Sequence, residues 1–490
     1  MTEEENNSNP FDAFFQPFVD HWATCVQQAN DATKQMFGGF EGSPDPRAWR
    51  RQWFDALSGN TDAYLRSPPF LHVMKAHIDA LSDAKRRMNE LAGHNTRVRS
   101  TSGSDLQSLE TRLASLEEAI YSRLSELEQR VEALDCRASQ PTGADGWDRF
   151  LSALQIKNSK PELTMGTTPH EVVYEDGSLR LLRYCNDQVR FLEPVLICFA
   201  LVNRPYVLDL QGDRSVVRQL IDRGFDVYLI DWGMPTDADR TMKLENYVCG
   251  LMRSVTDFVC ERTGNKRLNV LGYCMGGTLS TMFTALYQDR VRNLILLATP
   301  IDFSGDEGIL NLWARPEYFD VDKLIDAYGN CPGEFLQYCF QLMKPVQNIA
   351  EKYLTFCERL DDDSFLDNFF AMERWANDSI PVAGETFREY VKKLYQQNQL
   401  VKGNMLLGEK AVKLAAITCP LLLLVAEHDH LVPPDSSLAL ERYVSSTHVK
   451  SMSINAGHIG LAVSTKAHRQ LWPQAADWIA EHSTARSAAI

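Results

Sequence analysis

The sequence predicts an α/β fold: a mostly parallel sheet covered by helices, with a large helical cap insertion, preceded by an all-helical N-terminal region with a coiled coil. Three observations predict it. From about residue 170, helical stretches alternate with short apolar runs at 195–202, 227–231, 268–271, 294–299, 421–425 and 449–453. Continuous apolar runs of that length suit strands buried on both faces of a parallel sheet. The run at 268–271 leads into Gly272-Tyr273-Cys274-Met275-Gly276-Gly277 and then into a segment from Thr278 to Phe283 that reads as a helix. Before about residue 137, strand signals are few and helical periodicity dominates.

In chain order, the first feature is an aromatic stripe at helical spacing: Phe11, Phe14, Phe15, Phe18 and Trp22. Such a stripe is core, a docking face, or a contact with an apolar surface outside the protein. Ser104 with Gln107 forms a capping box that opens a helix. Apolar residues then recur at Leu106, Leu109, Leu113, Leu116, Ile120, Leu124, Leu127, Val131 and Leu134, in steps of 3, 4, 3, 4, 4, 3, 4 and 3. These are heptads with one extra residue between Ile120 and Leu124, which relaxes left-handed supercoiling locally. The narrow seam predicts a coiled coil; the alternative is a surface helix packed on the same chain. Ala138-Ser139-Gln140-Pro141-Thr142-Gly143 reads as a linker. The expected organisation is a helical region over 1–140, a linker over 141–165 and a catalytic domain over 166–490. Within the last, Asp176-Gly177 between Val172-Val173-Tyr174 and Leu179-Arg180-Leu181-Leu182 predicts a hairpin. The aromatic-rich stretch holding Trp313, Tyr318, Trp375 and Tyr390 is too long for a crossover and predicts a cap over the active site at about 303–412.

Composition narrows the function. The 490 residues allow two or three domains with a large core. Fifty basic against 65 acidic residues give a net charge of −15, which argues against a nucleic-acid partner. The 11 cysteines show neither CxxC pairs nor metal-ligand spacing, and the usage fits a reducing cytoplasm; the sequence implies no metal and no tightly bound organic cofactor. Cys198 and Cys260 read as inert core thiols. Met1-Thr2-Glu3-Glu4-Glu5 is acidic, unlike the basic leader of a signal peptide. No apolar run approaches the roughly 18 residues of a membrane span, so no transmembrane segment is expected.

The glycines around Cys274 carry the chemistry. A strand, a sharp turn and a helix with one reactive residue between glycines form the nucleophile elbow of an α/β-hydrolase fold. The bland alternative is an accidental match around a buried cysteine, which is weak against a strand before, a helix after and partners downstream in the right order. Cysteine in place of the commoner serine suits acyl transfer between thiols, hence thioesters more than esters. Asp429 follows the run at 421–425 and His458 the run at 449–453, giving the order nucleophile, acid, histidine. His428 and His430 are rivals for the base but share a loop with the acid; Asp231 is a weaker acid candidate. A thiol with an ordinary pKa of about 8.5 needs a base at neutral pH, and His458 can accept its proton. An oxyanion hole would come from the backbone N–H of Met275 and of Val202 or Asn203. Asp429 either orients His458 or acts on a substrate hydroxyl.

These residues match more than a fold. Asn203-Arg204-Pro205-Tyr206, Asp213-Arg214-Ser215, Tyr228 to Gly233, the Cys274 box, Ala383 to Arg388, Asp429 to Pro434 and Gly457-His458-Ile459-Gly460 resemble the class III polyhydroxyalkanoate synthases, from about residue 165 to the end. The resemblance implies polymerisation of (R)-3-hydroxyacyl-CoA thioesters, with short units such as 3-hydroxybutyryl-CoA, into polyester with release of CoA. It implies that Cys274 carries the growing chain, His458 activates it and Asp429 helps activate the 3-hydroxyl. It also implies a cytoplasmic protein at the surface of polymer granules. The front of the chain departs from the family, whose catalytic subunits work with a separate helical partner. Ser67-Pro68-Pro69-Phe70-Leu71 and the coiled-coil helix are similar to that partner, so the chain reads as a fusion of the two and as a homo-oligomer, a dimer. The competing readings are a cysteine hydrolase of thioesters or lactones and a granule scaffold.

Overall fold

The computed structural model describes residues 46–95 and 165–486, apart from 185, 187 and 306, together with 24, 25, 27–29 and 31. The aromatic stripe, the coiled-coil seam and the linker expected from the sequence lie outside the described residues. Two long helices come first, α1 (Pro46–Leu65) and α2 (Pro68–Asn95). Pro68 and Pro69 suit the first turn of α2, where backbone N–H groups have no partner within the helix.

The sheet has eight strands: β1 (His170–Asp176), β2 (Leu179–Tyr184), β3 (Val195–Cys198), β4 (Val227–Asp231), β5 (Leu268–Tyr273), β6 (Val291–Leu297), β7 (Leu421–Ala426) and β8 (Val449–Ile454). Their spatial order is β1-β2-β4-β3-β5-β6-β7-β8. β1 pairs antiparallel with β2, and β2 with β4; from β4 to β8 every pairing is parallel. Every residue of β5 and β7 is buried; β7 is apolar throughout, while β5 holds the polar Asn269, which donates to the Glu193 carbonyl and accepts from Asn293. β8, at the edge, exposes Lys450, Ser451 and Ser453 along its length. Polar residues there discourage pairing with another chain.

The strand ends differ from the apolar runs where the backbone turns. The run at 195–202 forms a strand only through Cys198, and the chain bends away before Asn203, whose φ is 61°. The run at 294–299 extends backward to Val291 and stops at Leu297, because Ala298 adopts a φ of 42°. At the hairpin, Gly177 supplies the φ of 59° that links β1 to β2.

Helices α3 (Val216–Arg223), α4 (Met252–Thr263) and α5 (Met275–Leu286) cover the sheet after β3, β4 and β5. Between β6 and β7 the chain is mostly helical, with α6 (Val321–Tyr328), α7 (Gly333–Leu342) and α8 (Asp363–Asn377) as its longer members and a small antiparallel pair, Leu406–Leu407 with Lys410–Ala411, before β7. The N-terminal helices share a core with this segment: Leu65, Phe70, Leu71, Met74 and Ile78 are buried in one cluster with Ile309, Trp313, Leu324 and Ile325. Polar contacts fix the register. Trp313 Nε1 donates to the Leu65 carbonyl at 3.1 Å, Asn89 Nδ2 to the Ala327 carbonyl at 2.9 Å, and Lys323 pairs with Asp83 at 2.8 Å. Among the described residues, no helix is long and apolar enough to cross a membrane.

Candidate active site

Cys274 sits between the end of β5 and the start of α5, with φ 54° and ψ −125°. A non-glycine residue held there costs roughly 1–3 kcal/mol, which the surrounding structure must offset. The Cys274 N–H donates to the Leu297 carbonyl at 2.9 Å, and the Gly277 N–H returns to the Cys274 carbonyl at 2.9 Å. The turn also needs close backbone approach. A Cβ on Gly276 would lie 2.2 Å from the Cys198 carbonyl oxygen and 2.4 Å from that of Phe199. The absence of a side chain there lets α5 start directly against the end of β3. Met275 is the first residue of α5, so its N–H has no helical acceptor.

The loops after β7 and β8 bring Asp429 and His458 together. His458 Nδ1 lies 2.7 Å from Asp429 Oδ2. The other carboxylate oxygen accepts the N–H groups of Leu431 at 3.0 Å and Val432 at 2.8 Å. The Asp429 side chain is 1% exposed and that of His458 10%. Burial alone would push the imidazole pKa down, but the Asp429 carboxylate and the neighbouring Cys274 outweigh it and raise His458 to about 10. Tyr273, the residue before the nucleophile, braces this pair. Its ring stacks on His458 with centroids 5.3 Å apart, and its hydroxyl donates to the His458 carbonyl at 3.0 Å.

Cys274 and His458 open into a cavity of about 790 Å³. Val202 and Asn203, on the turn after β3, line it, and Asn203 Oδ1 accepts from Ser379 Oγ at 3.0 Å. Aromatic side chains from between β6 and β7 form much of its wall, including Trp313, Phe335, Trp375, Tyr390 and Tyr395. Lys344 also reaches the wall; burial lowers its pKa, against the opposing pull of Asp62, Glu351 and Asp429.

The comparisons with known proteins bear on the fold and the family. Residues 193–464 match the family model described as the alpha/beta hydrolase fold. The chain is 43% identical over 353 residues to a poly(3-hydroxyalkanoate) polymerase subunit PhaC from Haloferax mediterranei, covering 72% of each chain. It is 41% identical to PhaC subunits from Synechocystis sp. (69% of this chain, 91% of that one) and Allochromatium vinosum (64% and 89%). The chain belongs to the PhaC family of poly(3-hydroxyalkanoate) polymerases.

In this PhaC-family chain the rival histidines also line the cavity, but the contact with Asp429 Oδ2 is made by His458. His428 Nε2 lies 2.9 Å from Asn455 Nδ2, while His430, also at the cavity, has its pKa lowered by burial and by Lys344. Asp231 pairs with Arg180 at 2.5 Å, on the antiparallel side of the sheet. Cys198 is fully buried and its thiol is pushed up to about 12, and Cys260 is likewise raised by burial. Sequence reasoning missed Tyr273 as a brace, although its place inside the elbow motif offered the signal. It also missed Met74 and Ile78 of α2, which line the cavity and which no local motif marks.

Proposed function

We propose that this polyhydroxyalkanoate synthase polymerises (R)-3-hydroxyacyl-CoA, of short side chain, through a covalent thioester on Cys274. Acyl transfer follows from the family; the cysteine route is carried by the 2.7 Å His458–Asp429 contact beside a thiol held at the elbow. His458 takes the proton from Cys274 Sγ, and a ring raised to about 10 favours the form with the proton on the imidazole. The thiolate attacks the thioester carbonyl of the acyl-CoA. The N–H of Met275 and one from Val202 or Asn203 hold the resulting oxyanion. Collapse breaks the carbon–sulfur bond to CoA, whose thiolate takes the proton from His458 and leaves as free thiol.

Elongation needs a second nucleophile, the 3-hydroxyl of another acyl unit. His458 accepts its proton as the oxygen attacks the Cys274 thioester, and Cys274 leaves as thiolate. Both oxygens of Asp429 are already engaged, one by His458 and one by two backbone N–H groups. That favours an orienting role for Asp429 over direct action on the hydroxyl. An apolar wall keeps water from intercepting the thioester. The route needs no metal or bound organic cofactor. On the same reading, residues 1–140 act as a fused helical partner, and the protein works as a dimer on cytoplasmic polymer granules.

The test is to supply 3-hydroxybutyryl-CoA and follow free CoA, insoluble polymer and soluble 3-hydroxybutyrate together. Polymer matched to CoA is the expected result, with both lost in a folded Cys274→Ala protein. Soluble acid without polymer would make the chain a thioester hydrolase, and near-normal turnover without the thiol would remove Cys274 from the mechanism.

A further inference from the structure

The catalytic cavity is not closed by the α/β-hydrolase fold alone. Met74 and Ile78, four residues apart on α2, line it together with Cys274 and His458. Four residues is one helical turn, so both side chains leave the same face of α2. Both are buried, at 5% and 6% exposure, in the cluster that also holds Trp313, Phe319 and Leu336. These three residues line the cavity as well. The face is held in place on either side of the two residues. Toward the start of α2, Phe70 packs on Trp313 with ring centroids 6.1 Å apart; toward its end, Asp83 pairs with Lys323 and Asn89 donates to the Ala327 carbonyl.

We infer that Met74 and Ile78 of the N-terminal helix contact the acyl substrate and set the length of the 3-hydroxyacyl side chain that the catalytic cavity accepts. The physical reason is packing. An apolar wall at close-packed density excludes added methylenes unless it can move, and α2 is pinned at both ends. A pocket of this kind discriminates roughly 10–200-fold for a methylene-scale change in fit. Neither side chain carries a group able to act in the proton transfers, so their influence falls on selectivity and not on the chemistry. The inference rests on the thioester polymerisation proposed above.

The experiment compares kcat/KM for 3-hydroxybutyryl-CoA and 3-hydroxyhexanoyl-CoA in the full-length protein, reading CoA release. Ile78→Val and Met74→Ala should raise the hexanoyl-to-butyryl ratio, by about tenfold or more for the larger deletion. Ile78→Phe should lower it. Asn89→Ala, which weakens the same helix contact away from the cavity, should lower both rates together and leave the ratio unchanged. A ratio constant within twofold across the folded Met74 and Ile78 variants would overturn the inference, because a merely structural helix moves both substrates alike. Should the wild type release no CoA from either substrate, the polymerisation reading fails instead, and the two failures are distinct.

Discussion

At the scale of single residues, and against the effect of burial, the Asp429 carboxylate and Cys274 raise the pKa of the buried His458 ring. The folded pKa of His458, about 10, lies above the ordinary 6.5. A group shifted upward stabilises the fold fully below its unfolded pKa and loses that contribution as pH rises through the folded value. Its contribution should therefore be complete below pH 6.5, shrink between 6.5 and 10, and vanish above. Urea midpoints measured across that range for wild type and His458→Gln should converge as pH rises; a constant gap would show that the ring is not charged in the fold. Tyr273→Phe removes the hydroxyl that donates to the His458 carbonyl but keeps the stacked ring. One neutral hydrogen bond is worth about 1 kcal/mol, so turnover should fall roughly fivefold while the fold persists. Asp429→Asn separates the two roles open to that carboxylate. Single-turnover acylation and steady polymer growth should fall by the same factor if it only orients His458, whereas loss confined to elongation would assign it to the hydroxyl.

At the scale of elements, the elbow is a contact between β3, β5 and α5. Gly276→Ala would drive a methyl group into the backbone carbonyls of Cys198, which ends β3, and Phe199, which accepts from Trp232 Nε1 at 2.9 Å, so neither steps aside easily. Overpacking against a rigid neighbour costs about 1–3 kcal/mol or more, so this variant should melt several degrees lower and be inactive. Normal melting with normal activity would mean that the turn is looser than described. The same elements show what was legible in the sequence. β7 could be read from an unbroken apolar run and β5 from a mostly apolar one, and Cys274, Asp429 and His458 from their places after strands. The end of β3 could not, because Phe199 to Val202 remain apolar while the chain turns to reach the positive φ of Asn203. Apolarity reports burial, and these four residues are buried or nearly so beneath the cap without being strand. Tyr273 was visible as a letter in the motif, but its stacking on a histidine 185 residues away is a tertiary fact.

At the scale of the whole molecule, the described N-terminal helices belong to the cap's core more than to a domain of their own. Removing the region takes away Leu65, Phe70, Leu71, Met74 and Ile78 and leaves Trp313, Leu324 and Ile325 of the cap without those partners. Burying each such side chain is worth about 1.5–3 kcal/mol, so a chain beginning at Gly146 would expose a large apolar face on the cap. It should associate or precipitate, and its activity should fall while Cys274, Asp429 and His458 remain in place. Phe70→Ala is the milder version: it opens the contact with Trp313 and should cost about 3–5 kcal/mol at that interface. Adding residues 1–140 back as a separate chain should restore part of both activity and assembly, since the contact is made of side chains and polar pairs that need no covalent link. Sedimentation of the shortened chain, alone and with the added segment, alongside CoA release from 3-hydroxybutyryl-CoA, measures both. A shortened chain with full activity and the assembly state of the intact protein would show that the N-terminal region does not act as a fused partner.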